Sequence, residues 1–155
     1  MTEVVEQVEL DGGVLVGHDG SPASGKAVGY AAQLAGRLGC TLHVLRAWSI
    51  TTAPKPASQQ LGYVAPLSDF EAAVRDDLAA DVARLDLGAA EVRLHVGHGG
   101  SARQLLLGAR GAEMVVVGRR GEGGFRGLGF GSTADQVVRH APCPVVVVPV
   151  APDER

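Results

Sequence analysis

The chain has 155 residues, 46% of them hydrophobic and 20% charged, which suits one domain that buries about two-thirds of the surface its unfolded chain exposes. A formal net charge of −3 argues against a broad electrostatic footprint for nucleic acid. No apolar run approaches the roughly 18 residues of a membrane span, and the N-terminus lacks a basic-then-apolar leader pattern, so a cytoplasmic location without membrane contact is the expectation.

Met1 to Asp11 carries Glu3, Glu6 and Glu9 and reads as a loosely ordered acidic tail, with the domain proper over 12–150 and a short polar tail over 151–155. Gly13 to Gly17 (GVLVG) is the first strand. His18-Asp19-Gly20-Ser21-Pro22 makes a turn in which Ser21 suits the N-cap and Pro22 the first helical position. The helix that follows shows Ala27, Tyr30, Ala31, Leu34 and Leu38 on one stripe and ends at Gly39. Thr41 to Ala47 (TLHVLRA) is the second strand.

From Trp48 to Pro66 periodicity gives way to Thr, Ala, Pro, Ser and Gln, a long irregular connection of the kind that serves as a lid, a partner surface or a disordered segment. Ser68 and Glu71 have capping-box spacing and open a helix that turns Phe70, Val74, Leu78, Val82 and Leu85 inward. Glu91 to Val96 is a third strand, and Ser101 starts a shorter helix that Gly111 ends. Met114 to Val117 is a fourth strand whose unbroken apolar character marks burial on both faces. Ser132 is placed to cap a last helix, with Asp135 near its positive end. Val145 to Val148, fenced by Pro144 and Pro149, is the fifth strand. Cys40 and Cys143 show neither a disulfide framework nor metal-ligand spacing and read as small packed hydrophobes.

Strand and helix alternate five times, so the fold class is α/β: a single doubly wound, five-stranded parallel sheet with helices on both faces. Ligands of such sheets bind outside the carboxyl ends of the strands, where the strand order reverses. If the first and fourth strands are neighbours, the loops after Asp19 and Gly118 face one crevice. The loop after the fourth strand is crowded with Gly and Arg and closes on Gly131-Ser132-Thr133, where the last helix begins. Glycine admits close backbone approach, and a helix N-terminus presents amides without intrahelical partners and a positive partial charge; together they make a phosphate site. Arg119, Arg120 and Arg126 lie in the same loop, and Arg119 and Arg120 are expected to contact phosphate.

Two competing patterns carry less. Gly20 to Lys26 matches the G-x-x-x-x-G-K spacing of a P-loop, yet Ala27 follows where a Mg²⁺-ligating hydroxyl is needed, and Lys26 reads as a solvated helix residue. Asp19 is either a turn-forming carboxylate or, beside a nucleotide crevice, a ligand for ribose hydroxyls or a metal ion. His43, His95, His98 and His140 form no ligand set, and no Ser-His-Asp or Cys-His arrangement is supported by local context, so no catalytic residue is assigned.

Gly118-x2-Gly121-x9-Gly131-Ser132 resembles the G-x2-G-x9-G-[S/T] nucleotide motif of the universal stress protein family, ATP-binding branch, and the similarity runs from about Gly13 to Val148. The resemblance implies a Rossmann-like fold and an ATP site, with Mg²⁺ carried by the nucleotide and Asp19 near the ribose and phosphates. It further implies that the Ala47 backbone reads adenine, that Val117 and Gly118 line the nucleotide, and that Gly121 lets the loop approach the phosphates. Gly131, Ser132 and Thr133 would receive them. Homodimers of the family pair through the last strand, here Val145, Val146, Val147 and Val148. The function implied is a nucleotide-dependent stress-response regulator that acts on an unidentified partner protein and hydrolyses ATP slowly or not at all. The alternatives are an adenylyl-transferring enzyme of a related fold, to which His18-Asp19-Gly20 is only a faint approach, and a nucleotide-free dimerisation module.

Overall fold

The computed structural model describes residues 4–119 and 131–149. Five strands, β1 (Val14–Gly17), β2 (Leu42–Trp48), β3 (Val92–His98), β4 (Met114–Gly118) and β5 (Val145–Val148), alternate with four helices. The helices are α1 (Pro22–Leu38), α2 (Leu67–Ala83), α3 (Ser101–Ala109) and α4 (Ser132–His140). All pairings are parallel and the spatial order is β3-β2-β1-β4-β5, so β1 lies between β2 and β4. The doubly wound sheet expected from the alternation is therefore the observed one. No helix among the described residues is long and apolar enough to cross a membrane.

Period-two alternation splits the core between the two faces of the sheet. Val14, Val16, Leu42 and Val44 pack with Ala27, Val28 and Ala31 of α1 and with Phe70, Val74 and Leu78 of α2. Leu15, Leu45, Val115 and Val117 pack on the other face with Leu105 and Ala109 of α3 and Ala134 and Val137 of α4. Central strands buried on both sides need apolar residues at every position, which is why β1 and β4 read as unbroken aliphatic runs.

Helix α1 begins at Ser21, whose hydroxyl accepts from the Ser24 N–H, and ends at Gly39 in the left-handed conformation (φ 69°). Its buried face is Ser24, Ala27, Val28, Ala31, Ala32 and Ala35. The expected stripe is rotated: Tyr30 is 45% and Leu38 56% exposed. A face of alanines lets the helix lie close on the sheet, and the larger apolar residues are displaced to its flank.

The capping box of α2 does not form. Pro66 occupies the N-cap without a side-chain bond, and Glu71 turns inward, where its carboxylate accepts from the Val5 N–H at 2.7 Å and lies 3.7 Å from Arg75. The same contact corrects the picture of a loose leading segment over residues 4–11. Val5 O accepts from His98 N–H at 2.8 Å, Glu6 O accepts from Gln104 Nε2 at 2.9 Å, and Val8 is 5% exposed within the α3-side core. At Gly111 the Leu10 carbonyl fills the space a Cβ would take. With the open edge of β3 and the flank of α3 to cover, Val5, Val8 and Leu10 supply the apolar contacts and the backbone between them supplies the hydrogen bonds.

Trp48 closes β2 rather than opening the irregular connection; it is 1% exposed, and its ring lies 4.6 Å from that of His98. The connection to α2 contains turns and a Gln60–Tyr63 bridge. On the α3 face, His43 Nδ1 and His95 Nε2 share a hydrogen bond of 2.9 Å. Burial lowers the pKa of both rings, that of His95 to about 4, with His43, Arg75 and Arg93 adding to the depression. A histidine with a depressed folded-state pKa contributes stability above its unfolded value near 6.5, and that contribution is lost as pH falls toward the folded value. Between pH 6.5 and about 4 unfolding therefore takes up protons at His95. His95→Leu is expected to reduce proton uptake on unfolding at pH 5 by about one per molecule, seen as a shallower fall of melting midpoint with pH; an unchanged slope would refute the assignment.

Candidate functional site

The strand order reverses between β2 and β4, on either side of β1, and a crevice opens there at the carboxyl ends of the strands. Counting its solvent-filled mouth it measures about 560 Å³. β1 contributes Gly17 and the residues just past it, His18 and Asp19; α1 contributes Ser24; β2 contributes Leu45 and Ala47. The other walls are Ser101 and Leu105 of α3, Val117 and Gly118 of β4, and Thr133 and Ala134 of α4.

Five residues singled out in the sequence, Asp19, Ala47, Val117, Gly118 and Thr133, thus meet in one crevice. Gly131 and Ser132 stand at the start of α4 beside it. Gly131 is the N-cap, with φ −70° and ψ 168° and no side-chain cap bond, which corrects the expectation that Ser132 caps the helix. The Ser132 hydroxyl instead accepts from Gln136 Nε2 at 3.3 Å. Asp135 lies in the first turn as expected, and both its oxygens face Arg139 Nε at 3.1 Å.

Arg119 ties the strand end to its neighbours: its N–H donates to Val148 O at 2.8 Å, and its carbonyl accepts from Gly131 N–H at 2.7 Å. Its Nε is buried without a hydrogen-bond partner among the described residues. Arg120, Gly121 and Arg126 lie outside the described residues. Val145 to Val148 are half-buried at the edge of the sheet, separated from β1 by β4.

The two loops that meet in the crevice present opposite chemistry. After β1, three consecutive backbone amides are taken up by nearby side chains. Asp19 N–H donates to Ser24 Oγ (3.3 Å), Gly20 N–H to His18 Nδ1 (3.3 Å) and Ser21 N–H to Asp19 Oδ1 (2.9 Å). A P-loop needs such amides directed at phosphate, so this turn is not one, whatever its G-x-x-x-x-G-K spacing. What it offers the crevice is the Asp19 carboxylate. Across from it the first-turn amides of α4, at Ser132, Thr133 and Ala134, have no intrahelical acceptors and carry the positive end of the helix dipole.

His18, Ser24, Ser101 and Leu105 are crevice residues that the sequence did not single out. Leu105 and Leu45 belong to the α3-side core and line the crevice as well. His18 is 7% exposed and burial lowers its pKa, opposed by the carboxylates of Asp81 and Asp19. Behind it Arg46 pairs with Asp77 at 2.5 Å and approaches Asp81 at 3.9 Å. Among the described residues no group of three or more His, Cys, Asp or Glu side chains is arranged to hold a metal ion.

The chain is thus a doubly wound α/β domain in which a carboxylate and a helix start line one crevice at the strand reversal. Residues 13–149 match the sequence model of the universal stress protein family, and the chain belongs to that family. A universal stress protein of Mycolicibacterium smegmatis is 35% identical over 141 residues, covering 87% of this chain and 45% of that protein. One from Mycobacterium tuberculosis is 32% identical over 160 residues, covering 90% and 49%. The chain therefore spans about half the length of these curated relatives.

Among solved structures, a universal stress protein from Lactobacillus plantarum superposes with a TM-score of 0.66 at 22% identity, covering 92% of this chain and 99% of that one. A universal stress protein in complex with cAMP gives 0.57 at 24%, covering 91% and 98%. One from Archaeoglobus fulgidus in complex with dAMP gives 0.60 at 18%, covering 88% and 96%. These likenesses establish the fold.

The Asp19 carboxylate has a structural duty that can be measured without any ligand. Asp19→Ala removes the acceptor of the Ser21 amide and should lower the melting midpoint by roughly 2–4 °C, the equivalent of about 1 kcal/mol. Asp19→Asn keeps an oxygen in place and should melt within about 1 °C of the parent. Equal losses in both variants would show that charge, rather than the turn, sets the contribution.

Proposed function

We propose that the chain is an adenine-nucleotide-binding regulator of the ATP-binding branch, cytoplasmic and homodimeric, whose occupancy changes what it binds and which hydrolyses ATP slowly or not at all. The observation that carries this reading is the crevice itself. Asp19 lines it together with Thr133 and Ala134, at the start of a helix whose N-cap, Gly131, brings no side-chain cap. A nucleotide is a ligand with both complements: hydroxyls and a bound Mg²⁺ for the carboxylate, phosphates for the amides. In this reading the phosphates meet Gly131, Ser132 and Thr133, with Arg119 and Arg120 adding charge and Gly121 giving room for close approach. Adenine lies against the Ala47 backbone, with Val117 and Gly118 along the nucleotide. Asp19 is placed for the ribose and for nucleotide-bound Mg²⁺, a single carboxylate being what Mg²⁺ commonly takes from protein when phosphates complete its shell.

The neighbours in complex with cAMP and dAMP support an adenine nucleotide as the ligand class, and they favour a second reading in which a monophosphate is the resident form. Melting shifts separate the two. A ligand at a hundredfold excess over Kd stabilises the native state by about 2.7 kcal/mol, which for a domain of this size is roughly 5–10 °C. Saturating ATP with Mg²⁺ should give that shift on ligand-free protein, with GTP and AMP giving less. Equal shifts from AMP and ATP would favour the monophosphate; equal shifts from all three nucleotides, or none, would end the adenine-nucleotide assignment.

Assembly is proposed to use the free side of β5. Arg119 and Val115 donate to the carbonyls of Val148 and Pro144, so the even-numbered residues face β4 and the amides of Val145 and Val147 point away from it. An apolar edge of this kind pairs readily with a second copy. Val147→Pro removes an outward amide while leaving the ladder with β4 intact. Light scattering should find a dimer for the parent at micromolar concentration and a dissociation constant raised at least about tenfold for the variant, the loss of one or two edge hydrogen bonds. A monomeric parent would refute the proposal.

A further inference from the structure

The turn between β1 and α1 is built from side chains acting on nearby backbone, and His18 is its first member. The imidazole Nδ1 accepts from the N–H two residues on, at Gly20, over 3.3 Å. That is the bond an Asn or Asp makes in an Asx-turn, here made by a ring. Gly20 sits at φ +88°, a conformation glycine adopts without strain, so the bond selects one arrangement of a permissive residue. The next amide, at Ser21, donates to Asp19 Oδ1 at 2.9 Å. The side-chain bonds on either side of Asp19 therefore fix both its backbone and its carboxylate.

His18 lines the crevice floor while almost fully buried. Its charged neighbours are Asp77 and Asp81 from α2, Arg46 from β2 and Asp19 from its own turn. With Nδ1 accepting, the neutral ring carries its proton on Nε2. The ring thus lines the crevice while lying within electrostatic reach of the Arg46–Asp77–Asp81 network.

We infer that His18 is a positioning residue of the crevice, holding the Gly20 turn so that the Asp19 carboxylate is presented to the ligand in one orientation. This rests on the adenine-nucleotide reading for its effect on binding, but the turn itself can be tested without ligand.

Three proteins decide it: the parent, His18→Leu, which keeps bulk and loses the acceptor, and His18→Asn, which restores an acceptor with the same i to i+2 reach. Amide hydrogen exchange on ligand-free protein should show Gly20 and Ser21 losing protection about tenfold or more in His18→Leu and regaining it in His18→Asn. Affinity for Mg²⁺-ATP by calorimetry should fall about tenfold in His18→Leu and return to within about threefold in His18→Asn. A merely space-filling histidine would give the opposite order, with Leu tolerated and Asn impaired. Unchanged Ser21 protection in His18→Leu overturns the inference, as does lost affinity that Asn does not rescue. If the parent binds no ATP, the nucleotide reading fails, and the exchange arm alone supports or overturns the positioning role.

Discussion

The parallel pairing of β1 with β4 is the constraint on which the rest of this structure depends. The register Val14 to Met114, Leu15 to Val115 and Val16 to Val116 sets two strand ends side by side and sends their following chains in opposite directions over the sheet. Both strands are buried on both faces, with Val14, Leu15, Val16, Val115 and Val116 at zero exposure. Each such aliphatic side chain contributes roughly 1.5–3 kcal/mol on burial, and a slip of one residue would move every one of them to the wrong face. The crevice therefore inherits its geometry from the most strongly specified element of the fold. Its walls can carry unsatisfied or polar groups because the floor does not depend on them.

The walls then divide the chemistry between them. On the β1 side His18, Asp19, Ser21 and Ser24 turn inward on the loop's own amides, and Asp19 lines the crevice. On the α4 side Gly131 brings no capping side chain, and the first-turn acid, Asp135, is engaged by Arg139. The dipole of α4 is therefore not answered from within at its very start. A spacing motif cannot express this difference. Gly20 to Lys26 and Gly118 to Ser132 are both glycine-punctuated stretches that precede helices, and the hydrogen bonds of the first show its turn amides already engaged.

What was legible in the sequence follows the same division. The five strands and the helices between them could be read because period and punctuation are local signals, whereas Ala47 and Val117 joined Asp19, Gly118 and Thr133 as site candidates only through the family resemblance. The rotated face of α1 could not, since Tyr30 and Leu38 are as apolar as the alanines that displaced them, and only the closeness of helix to sheet decides. The Ser68–Glu71 box had the right spacing, but Glu71 found a tertiary donor in Val5 N–H. The segment over residues 4–11 was masked by its glutamates, although Val5, Val8 and Leu10 alternate with them in a half-buried pattern. His18 was missed because its role lies in which ring nitrogen accepts.

Two of those misses, Glu71 and the leading segment, share a location. Val5 bonds to Glu71 on α2 and His98 on β3, and Glu6 to Gln104 on α3; Gln104 lies between Ser101 and Leu105, the two α3 residues that line the crevice. Gln104 is fully buried and its amide nitrogen bridges the carbonyls of Glu6 and His98. Gly97 leaves the space its side chain needs. A buried, hydrogen-bonded amide costs most when one of its partners is withdrawn. The leading segment is thus coupled to the wall of the crevice through one side chain, across nearly a hundred residues of sequence. Contacts of that separation leave no periodic trace in the chain, and they enter only when the three-dimensional arrangement is considered.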